Sequence, residues 1–152
     1  MPLRFTILGC GTSSGVPRIG NDWGDCDPEN PKNRRSRVSL LVQSDTTSLL
    51  IDTSPDLRAQ LLAVDMIALD AVLWTHDHAD HCHGIDDLRQ VFHHRREPID
   101  GYARAQTLTL LKQRFGYAFD GREGYRPIVR AQALPDRLSI GDIDIGCVDM
   151  PH

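Results

Sequence analysis

The chain has 152 residues, 40% of them hydrophobic, with a formal net charge of −4 and a pI near 5.9. That length and apolar content fit one domain with its own core, and the acidic balance gives no global reason to expect nucleic acid as a partner. No stretch approaches the roughly 18 apolar residues of a membrane span and the N-terminus lacks a signal-peptide layout, so no membrane partner is expected and the expected compartment is the cytoplasm.

Leu3-Arg4-Phe5-Thr6-Ile7-Leu8 alternates as a strand and runs into Gly9-Cys10-Gly11-Thr12-Ser13-Ser14-Gly15-Val16-Pro17. Such a glycine-rich loop either brings backbone close to a phosphate or simply turns the chain sharply out of a strand, and composition does not choose between them. Residues 18–37 show little periodicity and end in Lys32-Asn33-Arg34-Arg35-Ser36-Arg37. A long loop of this kind is usually functional, and Arg34 and Arg35 are candidate phosphate contacts, the alternative being a solvated hairpin flank. Of the four cysteines, Cys10, Cys26, Cys82 and Cys147, no two are closely spaced, which indicates neither a disulfide framework nor a four-cysteine zinc site.

Residues 38–42 and 48–52 read as two buried strands of a hairpin turning at 43–47. Asp52 closes the second, and Ser54 with Pro55 predicts a helix start, Ser54 as the cap and Pro55 as its first residue. Leu57, Leu61, Leu62 and Val64 would form that helix's apolar face.

The apolar run Ala71-Val72-Leu73-Trp74 predicts a buried strand that delivers Thr75-His76-Asp77-His78-Ala79-Asp80-His81 to one point at its end. Side chains alternate along an extended segment, so His76 and His78 point one way and can share an ion while Asp77 points away. Ile85, Leu88, Val91 and Phe92 then recur at helical spacing, and the turn into that helix can swing Asp80 and His81 toward a second ion. The bland alternative is a histidine-rich solvated loop. His93 and His94 fall in the last helical turn, where cations suit the helix dipole. Residues 98–103 predict a further strand, 105–115 a helix, and 115–125 either an aromatic flap or a satellite core. Residues 138–140 and 143–148 read as a hairpin turning at Gly141-Asp142.

His76-Asp77-His78-Ala79-Asp80-His81 matches in full the His-x-His-x-Asp-His signature, and here the chain resembles the metallo-β-lactamase-fold hydrolases. Gly9-Cys10-Gly11-Thr12 looks like the Gly-x-Gly-Thr segment after the first strand of that superfamily's phosphodiesterases. The 18–37 loop, with Cys26 and Arg34-Arg35, resembles the phosphoribosyl cyclic phosphate phosphodiesterase branch. That branch holds a structural zinc with several cysteines of the insertion, and only Cys26 is present here, so no structural zinc is expected.

The resemblance implies an α/β (α+β) fold, a four-layer αβ/βα sandwich with metals at one edge, of which residues 1–152 would be the N-terminal portion of a single domain, the remaining ligands lying further on. It implies His76 and His78 on one metal, completed by His152, and Asp80 and His81 on the other, with Asp52 supporting the site from behind. The implied cofactors are two divalent ions, Zn²⁺ or Mn²⁺ with Fe²⁺ also allowed. The implied activity is metal-dependent hydrolysis of a small cyclic or ribosyl phosphate diester by a metal-held hydroxide, with Asp80 as the catalytic carboxylate orienting the nucleophile. Alternatives are a thioester, lactone or RNA-processing hydrolase of the same superfamily, or a non-catalytic metal-binding module. The expected partner is a small-molecule phosphate ester, with nucleic acid not expected and a homodimer left open.

Overall fold

A computed structural model describes residues 2–151 of the chain. Six strands form one sheet in sequence order: β1 (Arg4–Gly9), β2 (Ser39–Gln43), β3 (Ser48–Ile51), β4 (Ala71–Leu73), β5 (Ile99–Ala103) and β6 (Val129–Ala133). The first three pair antiparallel, and β3 through β6 run parallel. Parallel pairing requires crossovers, and these are made by α1 (Leu57–Ala63), α2 (Ala79–Cys82) with α3 (Leu88–Arg95), and α4 (Ala105–Asp120). A second, two-stranded sheet, β7 (Arg137–Ile140) and β8 (Ile143–Gly146), completes the described elements.

The period of two along the strands separates the two sheet faces. Leu50 and Val72 lie with Leu57, Leu61, Leu88, Val91, Leu108, Leu111 and Phe119 in the main core, between sheet and helices. Their neighbours Leu49, Ala71 and Leu73 face the opposite way and pack with Val42, Ile143 and Ile145, so the β7–β8 hairpin lies on the other side of the sheet. Ala71, Val72 and Leu73 are all buried, which is why β4 is a continuous apolar run without alternation. Phe5 pairs with Val42 and thus lies on the hairpin's face, yet Phe5 and Ile7 are 62% and 69% exposed. Among the described residues nothing covers that apolar part of the face.

Several sequence expectations are corrected. The first helix starts at Leu57, after a turn, and not at Pro55. Ser54 Oγ instead accepts from the Asp56 N–H at 3.1 Å and donates to Gln60 Oε1 at 2.9 Å, tying the turn to the helix flank. The periodic run after the metal-motif residues is not one helix but α2, a 3₁₀ turn at Ile85–Asp87, and α3. Gly84 sits at the break because the chain presses on the Ser54 carbonyl there: an added Cβ would lie 2.0 Å from that oxygen. Gly84→Ala should therefore cost about 1–3 kcal/mol, the usual range for overpacking, read as a lower urea midpoint at unchanged slope.

The 115–125 segment is not a flap. α4 continues to Asp120 across a kink at Phe115, burying Ala118 and Phe119 in the main core, while Tyr125 stays 63% exposed. β6 is not among the expected strands: Val129-Arg130-Ala131-Gln132-Ala133 alternates apolar and polar residues, but two of its three apolar positions are alanine, a poor strand former, and its pairing with β5 makes it a strand. At the glycine-rich loop, the main chain of residues 35–37 occupies the space. A Cβ on Gly9 would lie 2.0 Å from the Arg37 carbonyl oxygen and one on Gly11 2.7 Å from that of Arg35. These two glycines serve close backbone packing rather than an open phosphate cradle. No helix among the described residues is long and apolar enough to cross a membrane.

Candidate metal centre

Parallel pairing sets Ile51 beside Leu73, so the residues that follow, Asp52 and the Trp74-Thr75-His76 segment, leave the sheet at the same edge. Asp52 is 2% exposed and takes a left-handed conformation with φ of 63°, which aspartate tolerates better than most residues. The turn is held by its own N–H donating to the Leu73 carbonyl at 2.8 Å. Its carboxylate then meets three groups: Oδ1 accepts from the Thr75 N–H at 2.8 Å, and Oδ2 accepts from the Thr75 hydroxyl at 2.8 Å and faces His81 Nδ1 at 2.7 Å.

Hydrogen-bond accounting assigns the tautomers. A carboxylate only accepts, so His81 Nδ1 carries the proton and the lone pair is on Nε2, which lies 3.4 Å from Asp80 Oδ2. Thr75 has one hydroxyl proton and gives it to Asp52, so toward His76 Nδ1, 2.9 Å away, it accepts; His76 likewise carries its proton on Nδ1 and its lone pair on Nε2. Asp52 thus orients two imidazoles, one directly and one through Thr75. The hydrogen bond that His81 donates to Asp52 raises the His81 pKa, burial opposes it, and the charges of Asp52 and Asp80 add to the rise.

The three rings converge. His76 and His78 stand edge to face with centroids 4.6 Å apart, and His76 and His81 are 4.1 Å apart. Asp80 lies in the first turn of the four-residue α2. Among the described residues no group of three or more His, Cys, Asp and Glu is arranged closely enough to hold an ion by itself. His152 lies outside the described residues. The donor chemistry fits a divalent ion of Zn²⁺ or Mn²⁺ type, since two imidazoles keep Nε2 as the lone-pair nitrogen and a carboxylate stands beside one of them.

Asp77 points away from the rings, as strand alternation requires, and its carboxylate pairs with Arg114 at 2.6 Å. His76 and Thr75 border a hollow of about 490 Å³ with Arg104, Leu134 and Cys147. Arg34 and Arg35 line a different hollow of about 280 Å³, beside Ser14, Arg37 and Asp56. Arg34 lies over the Trp23 ring at 5.2 Å, and Arg35 Nη1 donates to Cys10 Sγ at 2.8 Å. Thr75 and Arg114 were missed by sequence reasoning. Thr75 could have been noticed as a hydroxyl between a buried strand and the first histidine, whereas nothing in a helical arginine marks it out.

Cys82, inside the motif turn, is buried, and burial pushes its thiol pKa up to about 11, against a smaller lowering by Arg114. Only about one part in a thousand is then thiolate at pH 8. Iodoacetamide at pH 8 should modify the exposed Cys10 and Cys26 first and Cys82 only after unfolding. Peptide mass spectrometry checks this, and equal labelling of Cys82 and Cys26 in the native protein would refute it.

A mixed α/β sheet with helices on one face, a strand pair on the other, and an aspartate and a His-x-His-x-Asp-His turn at one edge defines a class, the metallo-β-lactamase fold. The chain belongs to that superfamily: its residues 47–152 match the β-lactamase superfamily domain. Over 118 residues it is 42% identical to an octanoyltransferase of Porphyromonas gingivalis, covering 77% of this chain and 24% of that protein. It superposes on a diphosphatase of the PhnP family with a TM-score of 0.77 and 36% identity, over 91% of this chain and 54% of that one. For Zn²⁺-bound PqqB from Methylobacterium extorquens the TM-score is 0.65 at 23% identity, a likeness of fold, over 91% of this chain and 48% of that one. The chain spans about half the length of these two solved structures and about a quarter of the octanoyltransferase.

Proposed function

We propose that this chain carries the metal-binding edge of a metal-dependent hydrolase whose substrate is a small cyclic or ribosyl phosphate diester. The observation that carries the reading is the Asp52 carboxylate, buried behind the motif and holding His81 directly and His76 through Thr75 with their Nε2 lone pairs kept for ligation. A core has no use for two imidazoles so oriented. His76, His78 and His152 would hold one ion, Asp80 and His81 the other. Bound divalent ions would supply charge neutralisation at the phosphate oxygens and an acidified water. Asp80 would orient the attacking water, and Asp52 would keep the imidazoles from turning as charge develops.

The phosphoester assignment is supported by the 36% identity to a PhnP-family diphosphatase. The octanoyltransferase name belongs to a protein of which only 24% is matched, and acyl transfer is not carried over from it. We read residues 1–152 as the N-terminal portion of one sandwich domain, because the apolar face bearing Phe5 and Ile7 is of the kind a further layer covers. The full-length protein, loaded with Zn²⁺ or Mn²⁺, should hydrolyse cyclic and linear phosphodiesters. Thioester or lactone turnover with no phosphodiester turnover would replace this reading with the superfamily's other chemistry, and no turnover with tight metal uptake would leave a binding module.

A further inference from the structure

The loop between His76 and His78 is gripped from outside the motif. Arg114, on α4, donates through Nη1 to the Asp77 carbonyl and pairs through Nη2 with Asp77 Oδ2 at 2.6 Å. The same carbonyl accepts the Cys82 thiol at 3.3 Å. One residue further along α4, the Phe115 ring meets His83 at 5.6 Å, nearly perpendicular at 83°. The α4 kink falls at Phe115, with φ −122° and ψ 35°, next to the two residues that reach the motif. From the other side, the N–H groups of His81 and Cys82 donate to the His78 carbonyl at 3.0 and 3.1 Å.

A planar guanidinium bonded to both the carbonyl and the carboxylate of one residue fixes two directions at once. The Asp77 carbonyl belongs to the peptide that joins Asp77 to His78, so holding it sets the backbone from which the second imidazole projects. Lysine would bring the charge without the fork. Asp77, the residue that alternation turns away from the rings, thereby acquires a use: it is the handle by which the helix layer holds the loop.

We infer that Arg114 is the positioning residue of the His-x-His loop, locking the Asp77–His78 peptide so that the His76 and His78 imidazoles keep their spacing, while touching neither ion nor substrate itself. Its purpose rests on the hydrolase reading above; its grip can be measured with no ion present.

In the metal-free full-length protein, amide hydrogen exchange over residues 75–83 should quicken about tenfold in Arg114→Ala and less in Arg114→Lys, with the β2–β5 amides unchanged. Asp77→Asn keeps the backbone carbonyl that Arg114 Nη1 reaches and loses only the charge of the second contact, so its acceleration should be smaller than that of Arg114→Ala, and the double variant should add nothing to Arg114→Ala, which already removes both contacts. In parallel, Zn²⁺ competition with a chelator should show affinity about 10–100-fold weaker in Arg114→Ala, with Arg114→Lys between the two. Unchanged exchange over 75–83, or acceleration shared equally by the sheet, would overturn the positioning role. Failure of the wild-type protein to take up Zn²⁺ would instead defeat the hydrolase reading, leaving the grip to be judged by exchange.

Discussion

His78→Ala in the full-length protein should lower kcat/KM on a phosphodiester by about a thousandfold or more, equivalent to about 4 kcal/mol of lost transition-state stabilisation. His78 is exposed and ends an extended segment as the residue before α2, so little packing is lost and the melting temperature of the metal-free protein should move by no more than a degree or two. Its ring stands 4.6 Å from that of His76, and its backbone carbonyl, which alanine retains, accepts the α2 amides. The variant thus separates ligation from folding. The checks are steady-state kinetics, metal content by mass spectrometry and a thermal melt of the metal-free form. Wild-type turnover with full metal content would show that His78 is not a ligand, and wild-type turnover with one ion fewer would show that the ion it holds is not needed for turnover; either would remove the proposed mechanism.

The parts of this fold that were legible in the sequence are those where one local rule acts alone. Ala71-Val72-Leu73 is a strand buried on both faces and reads as one, and the Gly141-Asp142 hairpin carries its turn residues openly. The motif spacing and strand alternation together foretold that Asp77 would diverge from His76 and His78, and Asp77 does pair away from the rings. What was illegible depends on partners distant in sequence. β6 alternates only weakly in hydrophobic strength, with alanine at two of its three apolar positions, and is a strand because β5 offers it a parallel edge. The division between α2 and α3 follows from Gly84 meeting the Ser54 carbonyl, 30 residues away in the chain, and no periodicity rule contains that contact. The aromatic residues of 115–125, set among glycines, left a flap and a satellite core both open, and the α4 kink decides for the core by turning Phe115, Tyr117 and Phe119 onto it. The site follows the same division: its histidines are visible as a motif, while Thr75 and Arg114 gain meaning only once β3, β4 and α4 are brought together.

Asp52→Asn and Asp52→Ala should separate the two uses of that carboxylate. Alanine leaves the Thr75 N–H, the Thr75 hydroxyl and His81 Nδ1–H without their acceptor beside a nearly fully buried position, and should destabilise the metal-free protein by about 3 kcal/mol. Asparagine fits the same space and keeps one oxygen for the Thr75 N–H, so its cost should be smaller. Its amide, however, presents N–H where Oδ2 was, and a donor facing His81 Nδ1–H drives that proton to Nε2. The ligating nitrogen is then blocked, and Zn²⁺ affinity should fall about 10–100-fold even though the fold persists. The wild-type protein adds a pH signature. The His81 pKa is raised by Asp52, so the stabilisation from that pair is fully present below the unfolded value of about 6.5 and is lost as pH rises through the folded one. Zn²⁺ must displace the Nε2 proton of the imidazolium while Nδ1 keeps its own on Asp52, so affinity should climb with pH across that window and level off above the folded pKa. In Asp52→Asn the raised pKa should relax toward 6.5 and the window move down with it. Urea midpoints, chelator competition from pH 5.5 to 8.5 and nitrogen chemical shifts of the His81 ring measure the three effects. An Asp52→Asn protein that binds Zn²⁺ as tightly as wild type, with the His81 proton still on Nδ1, would show that the buried carboxylate supports the turn and not the metal edge.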